Sequence, residues 1–460
     1  MDKKIGNSRY ETDYVAVYID LSGKCLYHLG VSYIVANLVK NEYKACIYVN
    51  DGKQSITEIA DAILEKDSEF IGFSVYDTNY FLVKDIAEII SQKTSKKRYI
   101  IIGGPTATFS AQKAMQYCAC IDFALCYAGE ITTQQLIDTV RKRENLNKVP
   151  DLFYRNHGHI ARSSYTQDCI KDLDIYSSPY LMNIIDVNKC VAINGGISIL
   201  TSRGCAYHCG YCVHSKISHS HVAMHSIARV VQEIKHVLAQ LTQENPVRID
   251  FIDDVFTMSK ERTIGLCKCI IESKLNIVFS IQTRADLVDE EILMYLSKAG
   301  CTNIAYGLES AVASVLHSMN KLNYASDDCS RERAFLHRFK KIVSLTESFG
   351  ITVSVYTIIG WYNETYEDGK NTLEFLKQLG IKNFSHSYVT YYKGTVAYDL
   401  VLERVKNEVD AIEKKMKWPI FNLNVRGFPQ LYNYDLEMLP YSQSDMFVYT
   451  HKRKKVYIQA

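Results

Sequence analysis

The chain has 460 residues, 47% of them hydrophobic, and a formal net charge of +2. That length allows two or three domains with full cores, and the balanced charge argues against a protein held on nucleic acid by a basic face. The first twenty residues lack the apolar stretch of a signal peptide, and no apolar run approaches the ~18 residues needed to span a membrane. A cytoplasmic protein is expected, whose 14 cysteines are mostly free thiols, with any tight cluster reserved for metal or chemistry. Cys46, Cys126, Cys190, Cys267, Cys269 and Cys301 sit in apolar contexts and read as core residues.

From Asp13 onward, strand-like runs recur as DYVAVYID, KACIYVN, FIGFSVYD, RYIIIGGP and DFALCYAGE, separated by segments of helical apolar spacing such as FLVKDIAEIISQK. This alternation predicts a doubly wound, Rossmann-like α/β domain over residues 13–148, with a parallel sheet of about five strands. Ligands of such sheets lie outside the carboxyl ends of the strands. There the sequence places DLSGKCLYHLG, YDTNY, GGPTAT and AGE, loops rich in Gly, Ser, Thr and Asp that suit a large polar ligand. Residues 149–190 read as a linker.

The second half repeats the alternation over residues 191–400: ISILTSRG, VRIDFIDD, LNIVFSIQT, TNIAYGLES, ITVSVYTIIG and IKNFSHSYVTYYKGT are each separated by a helix-length segment. Six parallel strands with intervening helices predict a partial (β/α)6 barrel, with its chemistry at the carboxyl ends of the strands. Residues 401–460 read as a C-terminal extension, either a cap over the barrel mouth or a packing helix with a solvated tail.

The end of the first barrel strand carries Cys205, Cys209 and Cys212, spaced C-x3-C-x2-C. Three thiolates on a short loop can hold zinc or an iron-sulfur cluster. Zinc wants a fourth ligand, for which His208, His214 or His219 is near enough. A four-iron cluster on three cysteines leaves one iron open to a substrate.

This triplet resembles the signature of radical S-adenosylmethionine enzymes, and the likeness extends to DFIDDVFT (250–257), AYGLES (305–310) and IIGWYNET (358–365). The resemblance implies a [4Fe-4S] cluster on Cys205, Cys209 and Cys212, whose open iron chelates S-adenosylmethionine. It also implies that Tyr211, Asp253, Asp254, Arg284, Glu309, Gly360 and Glu364 line the S-adenosylmethionine site. Departures from the pattern are Tyr362 and Asn363 in the fifth-strand loop, and Tyr391 and Lys393 in the sixth, at positions where proline or glycine is usual. A bland alternative stands beside each assignment: Asp253 and Asp254 as helix caps, Arg284 as a surface ion pair, Glu309 as a solvated carboxylate, and Glu364 as a first-turn glutamate favoured by the helix dipole.

An N-terminal sheet followed by this barrel resembles the cobalamin-binding group of these enzymes. The resemblance implies that Tyr76, Asp77, Thr78, Gly103, Gly104, Gly129 and Glu130 contact cobalamin. Asp20 is not followed by the D-x-H-x-x-G pattern that supplies a histidine to cobalt, and His28 lies too far along the chain to match it. The lower cobalt face is then expected against the loop Tyr76–Asn79. The implied activity is transfer of a methyl group to an unactivated carbon or phosphorus of a biosynthetic intermediate through a 5'-deoxyadenosyl radical. The implied partners are a small-molecule or peptide substrate and an external electron donor of flavodoxin or ferredoxin type. The alternatives are a non-methylating cyclisation, rearrangement or oxidation, and a cobalamin- or zinc-binding module without catalysis.

Overall fold

The computed structural model describes residues 10–21, 27–50, 52–166, 171–241, 245–323, 328–417 and 419–424. Part of the first ligand loop (22–26) and the tail beyond residue 424, which carries most of the expected cap, lie outside these. The chain divides into two compact units, residues 1–168 with 175–194 and residues 169–174 with 195–460.

The first unit is built from β1 (Thr12–Tyr18), α1 (Leu29–Lys40), β2 (Ala45–Val49), α2 (Ile56–Leu64), β3 (Ser68–Ser74), α3 (Tyr80–Lys93), β4 (Tyr99–Gly103), α4 (Pro105–Tyr117), β5 (Phe123–Leu125), α5 (Gly129–Arg141), β6 (Leu152–Asn156), β7 (His159–Arg162) and α6 (Val187–Asn194). The sheet order is β2-β1-β3-β4-β5-β6-β7, and the first five strands are parallel. Strands covered by helices on both faces read as apolar runs, which is why VAV, FIGF and III are legible. The hairpin β6–β7 was not foreseen. It lies inside the stretch read as a linker and pairs antiparallel with β5, extending the sheet from about five strands to seven. Its residues LFYRN and HIAR are half polar because an edge strand has one covered side at most. The order reverses between β1 and β3, and the crevice at such a switch point is where doubly wound sheets take their ligand.

The second unit opens with β8 (Gly196–Ile199), followed by β9 (Ser202–Arg203), α7 (His214–Ile217), β10 (Ala223–Met224), α8 (Ile227–Ala239), β11 (Val247–Phe251), α9 (Lys260–Glu272), β12 (Ile277–Thr283), α10 (Glu290–Lys298), β13 (Cys301–Glu309), α11 (Ala313–Ser318), α12 (Ser330–Ser348), β14 (Thr352–Ile359), α13 (Tyr366–Gln378), β15 (Asn383–Tyr388) and α14 (Val396–Met416). Six strands form one parallel sheet in the order β15-β14-β13-β12-β11-β8, the expected partial barrel. Alternation sorts its two faces. Ile249, Phe279, Ile281 and Ile304 are buried, whereas Ser280 bonds Asp250 and Asn303 bonds Ser354 to make a polar ladder on the other side. Local signals set the helix starts: Ser259 caps α9, Asp289 caps α10, and Thr365 with Asp368 forms a capping box on α13. Of the cysteines read as core residues, Cys126, Cys267 and Cys301 are buried, while Cys46, Cys190 and Cys269 are only half-buried.

Candidate active site

The loop after β8 carries Cys205, Cys209 and Cys212 as free, half-buried thiols. Two neighbouring aspartates fix where it starts. Asp253 is fully buried and accepts from the Thr201 backbone N–H (2.6 Å), the Thr201 hydroxyl (2.5 Å) and the Ser202 hydroxyl (2.6 Å). Burial pushes its carboxyl above the usual range, and these three donors work against that. Asp254 accepts from the Gly204 N–H at 2.8 Å and pairs with His214 Nδ1 at 2.5 Å. Burial opposes its ionisation, yet the His214 hydrogen bond and charge hold its carboxyl below the usual range. Neither aspartate caps α9, whose cap is Ser259, so both anchor the thiol loop. Gly204, at φ +100°, is required there because a Cβ would sit 2.1 Å from the His221 carbonyl oxygen.

The far side of the loop is clasped by residues 319–323. Gly210 N–H donates to the Met319 carbonyl (2.7 Å), His208 N–H to Asn323 Oδ1 (2.7 Å), and Asn320 Nδ2 to the His208 carbonyl (2.9 Å). Arg284 is buried rather than superficial. It donates to the Lys321 carbonyl at 2.9 Å, lies 3.9 Å from Cys209 Sγ and stacks 3.6 Å from the Tyr207 ring centroid.

Glu309 ends β13 in the left-handed region, φ +69°, at a register irregularity against β14, and it is buried. Its Oε1 meets Lys321 Nζ at 2.9 Å, and Lys321 also donates to the Tyr211 hydroxyl at 3.3 Å. Both charged side chains are at most 10% exposed. A pair this deep gains little net stability, because desolvation offsets the attraction. The left-handed backbone and the buried charge are both energetic costs at this one position. Gly307 leaves room for the pair, since a Cβ there would lie 2.5 Å from Glu309 Oε1. Burial and the Glu309 charge raise the Tyr211 phenol well above its ordinary range. Tyr211 also stands edge-on to the buried Trp361 at 6.4 Å. In the fifth-strand loop, Glu364 Oε2 accepts from Gly360 N–H (2.6 Å) and Trp361 N–H (3.3 Å), with Gly360 at φ +81°. Glu364 therefore shapes this loop even though the proline is missing.

Sequence reasoning missed Lys321, Asn320 and Asn323. They lie in the irregular MNKLN between two helices, where no periodicity singles them out. It also missed Thr201 and Arg262; the Arg262 guanidinium donates to the Thr201 carbonyl at 2.9 Å.

The thiols fit a cluster better than a single ion. Zn–S bonds of about 2.3 Å in a tetrahedron put sulfurs about 3.8 Å apart. Among the described residues, these three do not all lie within 4.8 Å of one another, alone or with a histidine. Burial also pushes the Cys212 thiol up to about 12 and raises that of Cys205. A strongly cationic ligand is needed to hold both as thiolates.

In the first unit the switch-point loops carry the expected residues. Tyr76 is half-buried, its N–H bound by Asn79 Oδ1 at 2.9 Å, and its hydroxyl lies 2.8 Å from His28 Nε2. The sequence pattern set His28 aside, but the fold returns it to this crevice as the N-cap of α1. Burial lowers the His28 imidazole to about 4, so it is neutral at pH 7. Asp77 is half-buried and Thr78 exposed. Gly104 sits at φ +88° just before Pro105 opens α4, and a Cβ would lie 2.9 Å from the Val75 carbonyl oxygen. Gly103 has no such constraint. Gly129 serves helix packing, its hypothetical Cβ being 3.0 Å from Ile34 Cδ1, and Glu130 is buried in the first turn of α5.

Two family models match the chain: the radical SAM superfamily over residues 199–376 and the B12 binding domain over residues 15–137. The chain belongs to the cobalamin-binding radical S-adenosylmethionine enzymes. Among curated relatives of this radical SAM enzyme is an uncharacterized methyltransferase of Pyrococcus horikoshii, 26% identical over 85% of this chain and 83% of its own. Two solved structures share its fold. TsrM from Kitasatospora setae, a radical S-adenosylmethionine methyltransferase with cobalamin and a [4Fe-4S] cluster bound, superposes with a TM-score of 0.68 at 15% identity, covering 82% of this chain and 72% of TsrM. OxsB, a cobalamin-dependent S-adenosylmethionine radical enzyme with aqua-cobalamin bound, gives 0.71 at 17% identity over 86% of this chain and 62% of OxsB. Among the described residues, no helix is long and apolar enough to cross a membrane.

Proposed function

We propose that this enzyme is a cobalamin-dependent methyltransferase that methylates an unactivated carbon, or phosphorus, of a small-molecule intermediate. The observation that carries this reading is the presence, in one chain, of a three-thiol loop at the end of the first barrel strand and a B12-type sheet with a rigid, glycine-cornered switch-point loop. When bound, the cofactors would supply one-electron cleavage of the sulfonium of S-adenosylmethionine and a transferable methyl group. Cys205, Cys209 and Cys212 would hold three irons of the cluster and leave the fourth open. Tyr211, Glu309 with Lys321, Arg284 and the loop that Glu364 folds at Gly360 would orient S-adenosylmethionine. Asp253 and Asp254 would act one step back, by fixing the thiol loop. The polar ladder Asp250–Ser280 and Asn303–Ser354 would face the substrate. Tyr76, Asp77, Thr78, Gly103 and Gly104 would receive cobalamin, with Gly129 and Glu130 acting through the seating of α5. The neutral His28 would orient the Tyr76 hydroxyl without adding charge. A cytoplasmic setting and a flavodoxin- or ferredoxin-type donor belong to the same reading.

The test is anaerobic reconstitution with reductant, S-adenosylmethionine and methylcobalamin, followed by mass spectrometry of 5'-deoxyadenosine. Wild type should retain cobalamin through gel filtration and form 5'-deoxyadenosine. The Cys205→Ala, Cys209→Ala, Cys212→Ala triple variant should retain cobalamin but lose at least about 10³-fold in 5'-deoxyadenosine, a loss of about 4 kcal/mol in barrier lowering. A cluster without retained cobalamin would remove the methyltransferase reading and leave a radical enzyme of another kind.

A further inference from the structure

Outside this site, the second unit brings together a histidine, a cysteine and a glutamate. His317 lies in the last turn of α11, Cys329 is the N-cap of α12, and Glu332 is in the first turn of α12. One ligand atom of each lies within 4.8 Å of the other two. Glu332 is 2% exposed, and its Oε2 is buried without a hydrogen-bond partner among the described residues. The helix dipole explains a glutamate in a first turn, but such a glutamate is stable in solvent. It does not explain a buried carboxylate with one oxygen unsatisfied, which costs about 1–3 kcal/mol or more.

The distance between His317 Nδ1 and Glu332 Oε1 is 3.3 Å. That is long for a charge-assisted hydrogen bond, which runs about 2.7–2.9 Å. It matches two ligands of one tetrahedral ion, because bonds of about 2.0 Å set such atoms about 3.3 Å apart. Thiolate, imidazole and carboxylate together suit zinc above magnesium or calcium. The His317 side chain is 30% exposed, which leaves an entry path on that side.

We propose that His317, Cys329 and Glu332 form a zinc site with a water in the fourth position. Binding releases the Cys329 thiol proton to solvent as the S–Zn bond forms, with no redox change. The ion ties the end of α11 to the start of α12. Between them lies the segment that supplies Met319, Asn320, Lys321 and Asn323 to the thiol loop. Zinc there braces the clasp without touching S-adenosylmethionine.

The test is metal analysis of the reconstituted full-length enzyme after incubation with zinc chloride and desalting. Wild type should retain about one zinc per chain, and zinc-edge X-ray absorption should show one sulfur at about 2.3 Å with nitrogen and oxygen neighbours. Cys329→Ser and Glu332→Gln should each lower retained zinc at least about tenfold with iron content unchanged, a loss of about 1.4 kcal/mol or more in binding. The triple Cys205, Cys209 and Cys212 to Ala variant should keep its zinc. No retained zinc, equal zinc in wild type and Cys329→Ser, or zinc lost only in the triple variant would each overturn the proposal. If a variant loses iron through misfolding, the wild-type absorption spectrum decides, and three sulfur neighbours would refute the site.

Discussion

The two units hold their ligand loops by different physical means. In the barrel unit, the loop after β8 is fixed by charge: the buried Asp253 and half-buried Asp254 on one side, Arg284 and the Lys321–Glu309 pair on the other. In the sheet unit, the loops at the switch point are fixed by close backbone approach and a neutral contact, with Gly104 against Val75 and His28 against Tyr76. Fixed charges in a low dielectric suit a highly charged cluster and a sulfonium. A large ligand whose surface is mostly amide and ring is matched by shape and hydrogen bonds. The difference teaches that one chain can fix a ligand loop by charge pairs in one unit and by close backbone approach in the other.

If that contrast is correct, Asp253→Ala should have the largest effect. It strands two Thr201 donors and one from Ser202, at a cost of about 3–5 kcal/mol. The second unit should melt roughly 10 °C lower, and a calorimetric scan of the full chain in which only the other transition stays in place would sharpen the contrast. An unchanged scan would break it.

Next in size is the acid response of the first unit. His28 titrates near 4 when folded and about 6.5 when unfolded, so between those values the unfolded state binds more protons. Its contribution is therefore intact above pH 6.5 and is lost as the pH falls towards 4, by on the order of 3 kcal/mol. Thermal unfolding followed between pH 7 and 4 should show this slope in wild type and lose it in His28→Gln.

Gly104→Ala is expected to have the smallest effect. The left-handed backbone costs about 1–2 kcal/mol with a Cβ, and the Val75 carbonyl must move. Cobalamin binding measured by titration calorimetry should weaken about tenfold, while 5'-deoxyadenosine formation stays within about twofold. Equal losses in both would show that the loop serves more than one cofactor.

Much of this was legible beforehand because the patterns are local. Apolar runs such as RYIIIG and SILT declare buried parallel strands, and three cysteines in eight residues declare a ligand loop. What was hidden depends on the return of the chain. Lys321 looks like any surface lysine until Gly307 opens a space for it beside Glu309, more than ten residues away. His28 fails the expected spacing, yet the turn into α1 brings it to Tyr76. Arg284 in QTRADL resembles a surface ion pair because its partner Asp286 is two residues off, and only the fold shows Cys209 on its other flank. The hairpin β6–β7 escaped because an edge strand has no apolar run to announce it.

That hairpin has a consequence for aggregation. β5 is only three residues long, fully buried and apolar, and its outer edge is occupied by β6 at Phe123, Ala124 and Leu125. A fragment cut at residue 148 would uncover those backbone groups and invite another copy to add a strand. A fragment that keeps residues up to 166 would present instead the short β7, which ends in an exposed His159 and an exposed Arg162. The polar stretch that looks like a tether thus works as a selvedge, the finished border that stops a woven sheet from joining its neighbour.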